Sequence, residues 1–240
     1  MPIEDLRKYL GVDWGEVSLK EKVVATMGGG LAMGLVILIS NWALPEHGAL
    51  SVVASMGASA VLLFAVPHGQ LSQPWPVIAG HGLSAGIGVV CAKTISDSTL
   101  AASCAVGLAI GVMHLCRCIH PPGGATAFTA VMGGEAMREM GFSFVLYPVL
   151  SNAVAMVLLA VIINALFPWR RYPSVFRRAS PLPDSTPETF APTHEEVIEA
   201  VRSLDTFVDI DEQDLIRLVE ILSDHPKLKS ENKPQPRPRQ

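Results

Sequence analysis

Residues Leu100–Gly134 read LAASCAVGLAIGVMHLCRCIHPPGGATAFTAVMGG, and this stretch sets the architecture. Its first part, Leu100–Ile119, carries one formal charge, Arg117. About 20 helical residues at about 1.5 Å each span a hydrocarbon core of about 30 Å. The run is then interrupted by His120-Pro121-Pro122-Gly123-Gly124. Proline is tolerated in the first helical turn, where the amides have no intrahelical partner. A new helix is therefore predicted to begin at these prolines, at membrane depth, and to run only to about Gly133. Broken backbone in hydrocarbon is stable where it is buried in protein or lines a polar cavity.

The rest of the chain has the same character. Between Val23 and Trp169 there are 7 formal charges in 147 residues, and the other 93 residues carry 33. Half of the residues are hydrophobic, only 17% are charged, and the mean hydropathy is +0.38. This excludes a disordered chain, a disulfide-stapled secreted domain and an ordinary soluble enzyme. Further membrane segments are expected at Val23–Trp42, Ala49–Val66, Pro76–Ala92 and Phe142–Phe167. The first comes after about twenty residues rich in acids, including Glu4, Asp5, Asp13, Glu16 and Glu21, unlike the basic leader of a signal peptide. It is read as a retained helix after a polar leader, 1–22. Cys91, Cys104, Cys116 and Cys118 fall in or beside apolar runs without metal-ligand spacing, so no metal site and no cofactor is expected. The net charge of −4 gives no basic face for nucleic acid.

A membrane domain is thus predicted over 23–169. After it come a proline-rich linker at 170–192, a cytosolic helical hairpin at 193–225 and a disordered tail at 226–240. The hairpin reading rests on the capping box Thr193–Glu196 and on Val197, Val201 and Leu204 at helical spacing. Two such short helices need a partner to bury their apolar faces. Homo-oligomer contacts are expected through them or through the membrane helices.

Two short blocks recur in order. Gly57-Ala58-Ser59-Ala60 resembles Gly124-Ala125-Thr126-Ala127, and Trp75-Pro76-Val77 resembles Tyr147-Pro148-Val149. The expected fold is all-α: about six membrane helices in two pseudo-repeated halves, or four spans with two re-entrant segments. Arg170, Arg171, Arg177 and Arg178 favour a cytoplasmic C-terminus. The length of Ala49–Val66 favours six passes with both ends cytoplasmic, in a bacterial inner (plasma) membrane.

The broken segment supplies the candidate binding site. Amides of Gly123, Gly124 and Ala125 at a helix N-terminus, with the macrodipole behind them, make an anion site. Thr126 adds a hydroxyl, and His120 stands at the mouth as gate or proton partner. Gly57 and Ser59 are the counterpart in the first half. Of the other membrane-half histidines, His47 and His68 read as loop residues, while His114 and His81 read as packing or structural hydrogen bonds. Ser59 and Thr126 have no base identifiable from sequence, so no catalytic residue is assigned and an enzyme is not expected.

The run Ile119-His120-Pro121-Pro122-Gly123-Gly124-Ala125-Thr126-Ala127 resembles the signature of the HPP family of integral membrane proteins. Gly57-Ala58-Ser59-Ala60-Val61-Leu62-Leu63-Phe64 is similar to its second common block. The resemblance covers about residues 20–170. It implies four spanning helices by the family's usual description, and nitrite transport by analogy with some cyanobacterial and plastid members. The functional expectation is a transporter or channel for a small inorganic anion, most of all nitrite. The alternative is a membrane-embedded regulatory or scaffold module acting through its cytosolic tail.

Overall fold

The computed structural model describes residues 17–43 and 54–176. Seven helices lie among them: α1 (Leu19–Ala43), α2 (Ser55–Ala65), α3 (Pro74–Thr94), α4 (Ser98–Leu115), α5 (Pro121–Met132), α6 (Glu135–Met140) and α7. Helix α7 opens with a π-helical turn, Val145–Leu150, and continues as Ser151–Ala165. No strand occurs among the described residues. The predicted hairpin, the chain beyond residue 176, His47 and the first part of the predicted 49–66 run lie outside the described residues.

Four helices, α1, α3, α4 and α7, are long and apolar enough to cross a bilayer. Helices α2 and α5 have 11 and 12 residues. At about 1.5 Å per residue neither spans about 30 Å alone. The long helices fall into two kinds. α3 and α7 bury 44% of their apolar stretch inside the protein, against 22% for α1 and 28% for α4. The outward residues of the latter, such as Leu38, Trp42, Leu108 and Leu115, are exposed and apolar. Such surface is stable against lipid and not against water.

Local chemistry sets the helix ends. Pro74 and Pro76 occupy the first turn of α3, and Asp97 caps α4 by accepting from the Leu100 amide at 2.8 Å. Arg117, at φ 51°, turns the chain out of α4 sooner than the predicted end at Ile119. Pro148 removes an amide donor within α7, where Tyr147 leaves helical geometry. The short α6 is bounded by Gly134 (φ 92°) and Gly141 (φ 52°).

Polar contacts tie the two ends of the bundle. At one end, Arg170 pairs with Glu21 and donates to the Asn164 side chain and the Phe64 carbonyl. Trp169 donates to the second Glu21 oxygen at 2.9 Å. Burial lowers the Arg170 pKa from its ordinary value, and Glu21 pulls it back up. The start of the predicted linker therefore lies against the bundle: Arg170 and Tyr172 are buried, and the Tyr172 hydroxyl donates to the Ser72 carbonyl at 2.9 Å. At the other end, Arg138 donates to the Ser98 hydroxyl at 2.9 Å, and Lys93 lies over the Phe142 ring.

Candidate functional site

Helices α2, α3 and α5 bring five polar side chains together in the apolar interior: Ser55, Ser59, His81, His120 and Thr126. All are buried, four of them with no exposed surface. Ser55 and Ser59 lie one turn apart on one face of α2. His81 stands on α3 beside Gly80, and Gly80 is needed there. A Cβ at that position would meet the His120 Cβ at 2.8 Å and the Cys118 carbonyl at 3.0 Å. Its absence lets the chain before α5 lie directly on α3. His120 then caps α5 in extended backbone, and Thr126 projects inward from the second turn.

The five groups form one continuous chain. The His120 Nδ1 lies 2.8 Å from the Leu71 carbonyl, and its Nε2 lies 2.9 Å from the Ser59 Oγ. The same Ser59 oxygen is 2.8 Å from the His81 Nε2. The His81 Nδ1 is 2.7 Å from the Thr126 Oγ1, which is 2.7 Å from the Ser55 Oγ. The two rings meet edge-on with centroids 4.9 Å apart.

Donor counting fixes the protons when both rings are neutral. The Leu71 carbonyl only accepts, so His120 carries its proton on Nδ1 and accepts at Nε2. Ser59 must donate to it, and so accepts from a proton on the His81 Nε2. The His81 Nδ1 is then bare and accepts from Thr126, which accepts from Ser55. Every hydrogen bond points the same way, from Ser55 to Leu71. The chain leaves none of its ring nitrogens or hydroxyl oxygens unsatisfied, which the cost of a buried unpaired polar group demands.

The expected site residues divide on this geometry. His120, Thr126 and Ser59 meet within the chain. Gly57 and Gly124 are half-buried, and an added Cβ at either would touch nothing within 4 Å. Ala125 is exposed. Gly123 does not face outward as expected. Its amide donates to the His120 carbonyl at 2.8 Å, and a Cβ there would meet the Gly80 carbonyl and the Ser84 Oγ at 2.9 Å. Pro121 and Pro122 have no N–H to offer, so the first turn of α5 presents fewer free amides than a helix N-terminus ordinarily would. The expectation that Ser59 lacks a base is also corrected, since two imidazoles flank it. His81 and Ser55 join the site as additions to the expected set. His114 is exposed on α4.

The two short helices share one pattern of burial. Ala54 and Pro121 are exposed; Ser55 and Met56, like Pro122 and Gly123, are buried. Gly57 and Gly124 are half-buried, Ala58 and Ala125 exposed, and Ser59 and Ala60, like Thr126 and Ala127, buried. A cleft of about 220 Å³ opens at the Arg138 end of the bundle, lined in part by Lys93, Ser96, Ser98 and Arg138. Among the described residues no group of three or more His, Cys, Asp or Glu is placed to hold a metal ion.

The family model for the HPP transmembrane region matches residues 15–173, and so covers the whole helical bundle. The chain belongs to the HPP family. It is an integral membrane protein, and the buried polar chain lies wholly within the region the family defines. It is 42% identical over 126 residues to one transmembrane protein of Dictyostelium discoideum, covering 51% of this chain and 44% of that protein. A second transmembrane protein of the same organism is 40% identical over 132 residues, covering 53% and 42%. The chain thus spans less than half the length of these two relatives. No solved structure matches it.

Proposed function

We propose that this HPP protein moves a small inorganic anion across the membrane, nitrite first among the candidates, along the polar seam between α2, α3 and α5. One observation carries the reading: two short helices begin inside a frame of long ones, and their hydroxyls meet on a single buried imidazole. Short or Gly/Pro-interrupted segments in corresponding positions of two halves are the strongest sequence pointer to a transporter's binding site. A helix N-terminus supplies partial positive charge there without a buried lysine or arginine. A full charge at mid-membrane costs about 2.5–3.5 kcal/mol on insertion scales, so a dipole and neutral donors are the milder solution. The Lys93 and Arg138 cleft gives an anion a favourable approach from one end. Nitrite is the choice among anions that membership of the HPP family favours.

Six passes in two inverted halves, with both ends cytoplasmic, fit this reading. The shared burial pattern of residues 54–60 and 121–127 supports the repeat. The Arg170 contacts support the passes, because they gather Glu21 and Phe64 at one end of the bundle, opposite Lys93 and Arg138. Self-association through membrane helices is part of the same proposal. The test is uptake of nitrite, nitrate, chloride and sodium into proteoliposomes. Anion uptake above that of empty liposomes supports the reading, and sodium uptake alone rejects it.

A second reading, a membrane module that acts through its C-terminal region beyond residue 176, draws on a different contact. Tyr172 and the Ser174 amide hold Ser72 and Gln73, beside the Leu71 carbonyl that orients His120. Deleting residues 180–240 separates the two readings: a transporter keeps measurable flux.

A further inference from the structure

The buried chain has a property that anion binding alone does not require: it has a second fully bonded state that differs by one proton. We propose that His120, Ser59, His81 and Thr126 form a single proton-binding relay, and that the protein carries one proton together with each anion. The coupling rests on the anion reading of the seam, whereas the proton site rests on the geometry alone.

The step balances without any other reactant. An incoming proton reaches Thr126 by way of Ser55. Thr126 passes its own proton to the His81 Nδ1. The His81 Nε2 releases its proton to Ser59, and Ser59 passes its former proton to the His120 Nε2. His120 is now an imidazolium, with Nδ1 still donating to Leu71. Its Nε2–H donates to Ser59, Ser59 donates to the His81 Nε2, and the His81 Nδ1–H donates to Thr126. Thr126 donates to Ser55 or to the Pro122 carbonyl, 3.2 Å away. No atom has moved except protons, every hydrogen bond is kept, and the polarity of the chain from His120 Nε2 to Thr126 has reversed. Two rings that exchange one proton through a shared hydroxyl titrate as one unit.

The surroundings leave this charge to the chain itself. Helix α2 faces it with Ser55 and Ser59, and α5 with Thr126. Neither short helix holds a charged residue. Helix α3 contributes His81 and, about 18 Å further along its axis, Lys93. The segment before His120 contributes the buried Cys118 thiol, with exposed Arg117 beyond it, and α4 contributes Met113. The loop between α2 and α3 contributes Leu71 and the half-buried His68, and α7 approaches Gly82 through Leu150. No carboxylate lies on α2, α3 or α5 to neutralise an imidazolium. A mobile anion does so instead, and the pair crosses the low-dielectric interior without net charge.

The test measures proton and nitrite movement together in proteoliposomes with a pH-sensitive dye inside, with empty liposomes as the blank for undissociated nitrous acid. The relay predicts acidification of the interior above the blank, with about one proton per nitrite, as a single shared site requires. In Ser59→Ala, which removes the bridge between the rings, protein-dependent acidification falls toward that of empty liposomes. Protein-dependent nitrite entry without acidification overturns the coupling and leaves the anion reading standing. If no nitrite moves, the anion reading and the coupling both fall, and nitrogen-15 NMR of the histidine rings in the same protein decides the proton site. On acidification the His81 proton should move from Nε2 to Nδ1 as His120 becomes an imidazolium, and Ser59→Ala should abolish that switch. A His81 ring that keeps its tautomer while His120 titrates overturns the relay.

Discussion

Ser59 and Thr126 hold opposite nitrogens of one ring: the Ser59 Oγ lies 2.8 Å from the His81 Nε2 and the Thr126 Oγ1 lies 2.7 Å from its Nδ1. They are also the residues that the two GA[ST]A blocks place in register. The imidazole is thus clamped between the two short helices, and α2 and α5 cannot slide past each other without losing one of these bonds.

Removing either hydroxyl should weaken the fold by the amount of an unsatisfied buried group. Ser59→Ala takes the shared partner from both facing ring nitrogens, and Thr126→Val takes it from the His81 Nδ1 and the Ser55 hydroxyl. Each should cost about 1–3 kcal/mol. Thr126→Ser keeps the hydroxyl and should stay close to wild type. Thermal unfolding in matched nanodiscs checks this. Equal stability of Ser59→Ala and wild type would contradict the bridging role.

Neighbouring glycines of the signature should respond in opposite ways. A Cβ at Gly123 meets the Gly80 carbonyl at 2.9 Å, and a carbonyl on a helix axis has nowhere to go. Gly123→Ala should cost about 1–3 kcal/mol or more through overpacking. Gly124 has open space around it, so Gly124→Val should fold and lose flux by filling the approach to α5. Size-exclusion profile and uptake, measured on the same preparation, separate the two effects. Normal transport by Gly124→Val would remove Gly124 from the site.

The range of each interaction decides how much of it was legible in the sequence. The long apolar runs and the start of α5 at Pro121 rest on length and on proline chemistry, both local. His81 was not legible as the centre of the site. A lone histidine in an apolar helix has no signature of its own, and its partners lie 22 and 45 residues away. The adjacent Gly80 was the available clue, as a glycine where another backbone must come close. Arg170 read as part of a cytoplasmic cluster because its partner Glu21 is 149 residues distant. The close approach of Gly123 to Gly80 was not legible, because a glycine that admits a ligand and one that admits a neighbouring helix look the same in sequence.

That ion pair gives the next prediction. Arg170→Met leaves the Glu21 carboxylate without its main partner and takes a donor from the Phe64 carbonyl. Breaking one side of a buried pair costs about 3–5 kcal/mol. The double change Glu21→Leu with Arg170→Met should recover part of this loss. A single variant as stable as wild type in denaturant unfolding would show that the pair does not join α1 to the end of α7.

The six-pass proposal predicts that exposed Gln70 and Glu139 lie on opposite faces of the membrane. Single cysteines at these positions, in a cysteine-free background, should be labelled by an impermeant maleimide from opposite sides. Ser72 is unsuitable as a probe because it is buried and donates to the Leu62 carbonyl. Labelling of both positions from outside the cell would favour four spans.

The central claim is that an anion passes along the seam clamped by His81. Its most direct measure is the initial rate of nitrite entry into proteoliposomes for wild type and for the double variant Ser59→Ala with Thr126→Val, on protein shown to be folded. The account predicts entry well above that of empty liposomes for wild type, and a loss of at least about tenfold in the variant, equivalent to about 1.4 kcal/mol at the barrier. Wild-type entry no faster than the blank, or equal entry by the two proteins, would contradict it.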